Sequence, residues 1–351
     1  MRVALIGYGQ SGRTSLYRAA SRGLAKGDIT AVPVPDERFD RIVKQVQPKK
    51  ITPATVMLDD SLEPISGSGR AFSQRLLDEA KKADLLLHVV RAFESPTVPY
   101  FRDVAPLKDQ ENVDVELVLS DLQIVENRLE RLKKSLTAKA PGSPDYLENA
   151  LFTRLKPELE AGTPIRSLEL TEDEQGIVRN YQFLSSKPMV VAFNVNEDRI
   201  ASPAPDMAGR IEALAGAGTP AFAVCASIEE EVTQLDAEDQ PEFLESLGLG
   251  RPASEKVIQA VYSALGLITF FTAGENETRA WPLRKGANAL KAAATIHNDI
   301  AKGFIRAEVV HYGDYDASGS LDAAYSAGKM SLEGKEYVVR DGDLLHIRNK
   351  S

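Results

Sequence analysis

MRVALIGYGQSGRTSLYRAA, residues 1–20, decides the fold. Residues 2–7 (RVALIG) are a short apolar run ending in glycine, and a polar, helix-compatible stretch follows from Arg13 to Ala20. Strand, tight loop and helix in that order form a phosphate-binding turn in many α/β proteins. The loop, Gly7-Tyr8-Gly9-Gln10-Ser11-Gly12-Arg13-Thr14, admits three readings. Gly7, Gly9 and Gly12 spell the dinucleotide pattern GxGxxG, with Asp36 available to hold a ribose. Gly7, Gly12, Arg13 and Thr14 also spell GxxxxGK[ST] with arginine for lysine. In that loop backbone N–H groups cradle phosphates, the cation reaches the outer phosphates and the hydroxyl ligates Mg²⁺. Arginine keeps the charge, but its planar fork is larger than an ammonium. The third reading is a turn that only packs helix on sheet.

Working outward, ITAVPVPD (29–36) reads as a strand at a sheet edge, since Pro33 and Pro35 cannot donate to a ladder. ATVMLDD (54–60) is a further strand, FSQRLLDEAKKA (72–83) a helix and DLLLHVVRAF (84–93) a buried strand. KPMVVAFNVNED (187–198) and TPAFAVCASIEEE (219–231) resume the pattern. Alternating strands and helices predict an α/β domain with a mostly parallel sheet. Near residue 116 the texture changes. Leu122, Val125, Leu129, Leu132 and Leu136 recur at spacings of three and four. APGSPD (140–145) breaks that helix, and Leu147, Leu151, Leu155 and Leu159 mark a second one. A helical hairpin inserted in the α/β domain and two ordinary packed helices both fit this pattern. Past Gly266, LITFFTAG, ETRAWPLRKG, GFIRAEVVHY and EYVVRDGDLLHIR are strand-like, with a helix from Ala287 to Ile300, so a small α+β domain is expected.

Composition bounds the function. The chain has 351 residues, 43% hydrophobic and 26% charged, which excludes a disordered or fibrous protein. Its net charge of −9 supplies no global attraction to nucleic acid. Arg279, Lys285, Lys291, Lys302 and Arg306 still offer a local RNA-phosphate surface, interleaved with Glu275, Glu277, Asp299 and Glu308. Cys225 is the single cysteine, so neither an intramolecular disulfide nor a cysteine-cluster zinc site is available. Apolar runs fall short of the roughly 20 residues of a membrane span. Glycines and Arg13 interrupt the N-terminus before a signal-peptide core develops. A cytoplasmic protein with no membrane partner is expected.

The longer segments resolve the loop. ITAVPVPDERFDRIVKQVQPKKITPAT, LLLHVVRAFE, KPMVVAFNVNED, VCASIEEEVTQLD, LITFFTAGENETRAWPLRKGANALKAAATIHNDIAKGFIRAEVVHY and GKMSLEGKEYVVRDGDLLHIR stand in the order of the YchF/Obg-like ATPase family of P-loop proteins. The chain resembles that family from end to end. The resemblance implies a G domain at residues 1–115 and 188–265, a coiled-coil-like arm at 116–187 and a ubiquitin-like TGS domain at 266–351. It implies nucleotide binding by Gly7, Gly9, Gln10, Ser11, Gly12, Arg13, Thr14, Ser15, Asn194, Val195, Glu197, Cys225, Ala226 and Ser227. Mg²⁺, bound with ATP, would sit at Thr14 and Asp60. It further implies association with ribosomes or RNA through the arm and TGS domain. Family members prefer ATP to GTP, attributed to NxxE in place of NKxD. Here that motif is Asn194-Val195-Asn196-Glu197, in which Asn194 either serves the base or braces the phosphate loop.

Departures gather where phosphate chemistry occurs. Arg13 replaces the loop lysine, and the switch segment before ITAVPVPD is shortened to SRGLAKGD. DxAG becomes Asp60-Ser61-Leu62-Glu63, which is expected to bring the Glu63 carboxylate towards the γ-phosphate. The following glycine-rich switch is reduced to PISGSGR, and residues 95–101 lack the family's proposed catalytic histidine. His88 reads as structural, and no residue is assigned a catalytic role. These changes predict a nucleotide-binding protein whose hydrolysis is weak or lost, or, alternatively, a scaffold that binds no nucleotide and presents its arm and TGS domain.

Overall fold

The run behind the glycine loop forms β1 (Arg2–Ile6), an interior strand of a six-stranded sheet in the computed structural model. Residues 1–67, 72–135, 142–236 and 238–350 are described. After α1 (Arg13–Ser21) come β2 (Ile29–Pro33), α2 (Glu37–Val46), β3 (Ile51–Thr52) and β4 (Thr55–Asp59). α3 (Gln74–Lys81) leads to β5 (Leu85–Ala92). α4 (Pro106–Ser135), α5 (Pro144–Glu160) and α6 (Glu172–Tyr181) precede β6 (Met189–Val195). α7 (Pro205–Gly216), β7 (Ala221–Val224), α8 (Ala226–Val232), α9 (Gln240–Ser246) and α10 (Ala253–Ala264) follow. The strand order is β2-β4-β1-β5-β6-β7. Pairings β4/β1, β1/β5, β5/β6 and β6/β7 are parallel, and the proline-bearing β2 lies at the edge as expected. β6 is buried along its whole length and β5 along all but its last residue, as befits strands covered on both faces.

Two compact units result: Met1–Thr30 with Met57–Val261, and Ala31–Val56 with Tyr262–Ser351. The expected division had kept residues 31–56 with the first part of the G domain. Instead, β3 joins the second sheet, where it pairs in parallel with β9 (Thr278–Arg284) after β8 (Leu267–Thr272). Phe39 of α2 stacks on Phe271, ring centroids 6.0 Å apart. Asp36 caps α2 rather than a ribose: its side chain accepts from Arg38 N at 3.0 Å, and Arg38 also pairs with Asp341.

In the first unit, α4 and α5 form the expected helical hairpin around Val118, Val125, Leu151, Phe152, Leu155 and Leu159. Ion pairs Arg128–Glu148 and Glu126–Lys156 descend α4 as they climb α5, so the helices run antiparallel. The first helix begins at Pro106, earlier than the change of texture near residue 116. Leu147 is half exposed rather than part of the seam. Leu136, residues 140–141 of the expected break and residues 68–70 of the shortened switch lie outside the described residues.

The second sheet has the order β11-β10-β12-β8-β9-β3, with β10 (Phe304–Val310), β11 (Ser331–Glu333) and β12 (Leu344–Asn349). The helix expected over residues 287–300 is broken into α11 (Ala289–Ile296) and α12 (Asn298–Lys302). His297 between them is extended, and its Nδ1 accepts from Asp299 N at 3.2 Å, capping the second piece. α13 (Tyr312–Ser318) and α14 (Leu321–Ser326), short helices not anticipated, complete the unit. Of the stretch 336–348, only residues from Leu344 onward form a strand. Among the described residues no helix is long and apolar enough to cross a membrane, and no group of side chains is arranged to hold a metal ion.

Candidate nucleotide-binding site

The glycine loop requires its glycines for specific reasons. Gly12 has φ +84°, in the left-handed region, and a Cβ there would stand 2.0 Å from Asn194 Nδ2. A Cβ on Gly7 would stand 2.4 Å from Val89 O of β5. The loop runs into α1 with Leu16 N donating to Gly12 O at 2.9 Å. The N–H groups of that first turn, from Arg13 to Ser15, have no carbonyl four residues back in the helix and face a ligand position by geometry.

Asn194 unites the site. At the buried end of β6, its Nδ2 donates to Ser11 O at 2.9 Å, and its Oδ1 accepts from Ala226 N at 2.9 Å. One amide thus ties the phosphate loop to the 225–227 turn, the bracing contact among the two roles considered for it. Asn196 adds a reciprocal pair with Glu94, accepting from its N at 3.1 Å and donating to its O at 3.2 Å. Glu197 is exposed and opens the short turn Glu197–Arg199. Cys225 is a buried free thiol, its Sγ 3.4 Å from Ser227 Oγ.

These elements enclose a cavity of about 850 Å³. Every residue expected to bind nucleotide lines it except Gly7 and Cys225, which are buried. Arg91, which sequence reasoning passed over, organises one side. It is buried at the end of β5, and its fork donates to Gln10 O at 2.9 Å, Val98 O at 2.8 Å and Phe93 O at 3.2 Å. Its guanidinium also lies over the Phe93 and Tyr100 rings, 4.1 and 4.8 Å from their centroids. Burial lowers its pKa from the ordinary arginine value. The usable signal was an arginine that, with His88, interrupts an apolar strand. Gln10, with φ +63°, is held in an unfavourable backbone region by that same contact.

The phosphate end differs from expectation. Arg13 Nε lies 2.6 Å from Asp60 Oδ1, and Thr14 Oγ1 donates to Asp60 Oδ2 at 2.7 Å. Arg13 Nη2 donates to Leu62 O at 2.6 Å, with Nη1 3.4 Å from Glu63 O. The carboxylate of Glu63 is not the group that meets the loop, because Ser73 Oγ, at the N-cap of α3, donates to it. Residues 64–65 run beside the loop, with Gly9 N donating to Ile65 O at 3.3 Å and Ile65 N to Gly7 O at 2.9 Å. Thr14 and Asp60 are therefore together, as the Mg²⁺ expectation requires, yet Oδ2 accepts from Thr14 and Arg13 stands in ion-pair contact against Oδ1, which accepts no hydrogen bond. The residues present do not fit Mg²⁺.

His88 is buried on β5 with neither ring nitrogen hydrogen-bonded. Burial lowers its pKa to about 4, with nearby Asp114 opposing and Arg166 reinforcing the shift. It belongs to the core, not to this cavity.

Comparison with known proteins supports the same relationship. The family model YchF-GTPase_C, described as a protein of unknown function (DUF933), matches residues 267–350. The chain is 37% identical to the ribosome-binding ATPase YchF of Bacillus subtilis, covering 99% of this chain and 98% of that protein. It is 36% identical to the protein of the same name from Haemophilus influenzae, with the same coverage. The solved structure of the Schizosaccharomyces pombe YchF GTPase superposes with a TM-score of 0.88 at 27% identity, covering 99% of this chain and 97% of that one. With a sheet, loop and C-terminal unit of this design and relatives matched over nearly their full length, the chain belongs to the YchF family.

Proposed function

We propose that this chain binds an adenine nucleotide in the 850 Å³ cavity, associates with ribosomes, and hydrolyses nucleotide weakly or not at all. The observation that carries the reading is the Asn194 amide, which holds the phosphate loop and the 225–227 turn in one rigid wall. A loop kept only to pack a helix has no need of that bridge.

The base preference rests on Glu197. An aspartate at this position would accept paired donors from guanine, whereas the longer glutamate displaces the carboxylate. Adenine over guanine is the expected order, with Ala226 and Ser227 beside the base. Hydrolysis is expected to suffer because phosphoryl transfer depends on positioned charge. Arg13 is committed to Asp60 and Leu62 O, and residues 95–101 offer no histidine. Loss of one such donor costs about 10²–10³-fold in rate. The Mg²⁺ that the resemblance implied is left out of the proposal, since Thr14 and Asp60 do not accommodate it.

Ribosome association comes from the relatives, whose names include it, and from the reading of residues 266–351 as a TGS domain and of residues 116–187 as a coiled-coil-like arm. Lys285, Lys291 and Arg306 are exposed for RNA phosphates, while Lys302 pairs with Asp299 and Arg279 lies 3.7 Å from the centroid of the Trp281 ring. A cytoplasmic location follows from that partner. The scaffold reading draws support from one feature, the internal engagement of Arg13. Co-sedimentation with ribosomes, with and without ATP, tests the proposal: nucleotide-dependent pelleting supports it. Pelleting that ignores nucleotide favours the scaffold, and no pelleting removes the ribosomal part.

A further inference from the structure

The phosphate end of the cavity contains a cation of its own. Arg13 joins Asp60 Oδ1 at 2.6 Å, Thr14 Oγ1 holds Asp60 Oδ2 at 2.7 Å, and Arg13 Nη2 reaches Leu62 O at 2.6 Å. The side chains of Arg13 and Asp60 are 12% and 7% exposed, so water competes little for the pair. Leu62 and Ile65 are buried, and the segment that carries them hydrogen-bonds to Gly7 and Gly9 of the loop. The carboxylate that would hold a metal's water is neutralised by a guanidinium fixed at both ends.

We infer that Arg13 takes the place of the divalent ion, and that this pocket binds nucleoside polyphosphates in their metal-free form. The inference deepens the nucleotide-binding reading above and rests on it. Three features act together. The guanidinium balances Asp60 as a metal would, it stands 2.6 Å from the one carboxylate oxygen that accepts no hydrogen bond, and its contacts to main-chain carbonyls fix it in place. The first-turn N–H groups of α1 remain to hold phosphate, and they require no metal to do so. A lysine could not reproduce the arrangement: its single ammonium cannot span Asp60 and Leu62 O as a planar fork does.

The test is calorimetric titration of the nucleotide-stripped, full-length chain with ATP and with ADP, in Mg²⁺ and in EDTA. The expected dissociation constants agree within about twofold between the two buffers. Arg13→Lys should reopen Asp60 and make ATP binding at least about tenfold tighter in Mg²⁺ than in EDTA. Arg13→Gln, which keeps a donor but no charge, should lose affinity in EDTA and regain it in Mg²⁺. Wild-type binding that weakens tenfold or more in EDTA overturns the inference and leaves the nucleotide-binding reading standing. Metal-independent binding in all three proteins overturns the role given to Arg13. Absence of binding in both buffers overturns the inference together with the reading beneath it.

Discussion

Gly12→Ala tests the bridge between the phosphate loop and the strand end. At φ +84° the new side chain occupies the left-handed region, which costs about 1–2 kcal/mol. Its Cβ would also stand 2.0 Å from Asn194 Nδ2, so that amide must move. Moving it breaks the bonds to Ser11 O and from Ala226 N, each 2.9 Å long. Two buried hydrogen bonds contribute about 1–3 kcal/mol together, more if a partner is left unsatisfied. The total expected loss is about 2–5 kcal/mol. Scanning calorimetry of the first unit's transition measures it, and hydrogen exchange at the Ala226 amide reads the broken bond directly. In an Asn194→Ala background the obstruction is absent, so Gly12→Ala should then cost only the backbone part, about 1–2 kcal/mol. Equal costs in the two backgrounds, or unchanged protection at Ala226, would refute the reasoning.

Three more perturbations probe other parts of the structure. His88 has a folded-state pKa of about 4 against an ordinary 6.5, so the unfolded chain binds its proton first; its contribution is complete above pH 6.5 and falls by about 3 kcal/mol as pH drops to 4. Urea unfolding of His88→Leu against wild type across that range should show the difference shrinking by that amount, while an unchanged difference contradicts the burial argument. Arg91→Lys keeps a charge but cannot hold Gln10, Val98 and Phe93 carbonyls together, so nucleotide affinity should fall about tenfold in a titration. Asp121, buried and raised to about pKa 6 by its burial, accepts from Leu184 N and Ser185 N; Asp121→Ala should cost about 2–4 kcal/mol in thermal unfolding, and Asp121→Asn less.

Much of the first unit was legible because its signals are local. Glycines at positions 7 and 12 and the apolar runs of β1, β5 and β6 each declare their environment within a few residues. The leucine spacing likewise marked the hairpin of α4 and α5, although Leu147 showed that spacing alone does not bury a side chain. What escaped depends on contacts distant in sequence. Nothing in ITPAT announces that Ile51 and Thr52 pair with Thr278 and Arg279. The apolar pattern across residues 289–300 is continuous, and only the extended backbone of His297 divides it. Arg13 was read correctly as a departure, but its consequence lies in the carbonyls of residues 62–63, which no motif describes. Arg91 announced itself only as a charge within a mostly apolar strand, and its partners, like those of Asn196, are main-chain groups that leave no mark in a sequence.

Calorimetric titration of ATP and GTP into the stripped protein, beside Glu197→Asp, tests the central claim most directly. Micromolar ATP binding tighter than GTP, with the preference narrowed in the variant, is the predicted result. Absence of heat at millimolar nucleotide, or guanine preferred by the wild type, would contradict it.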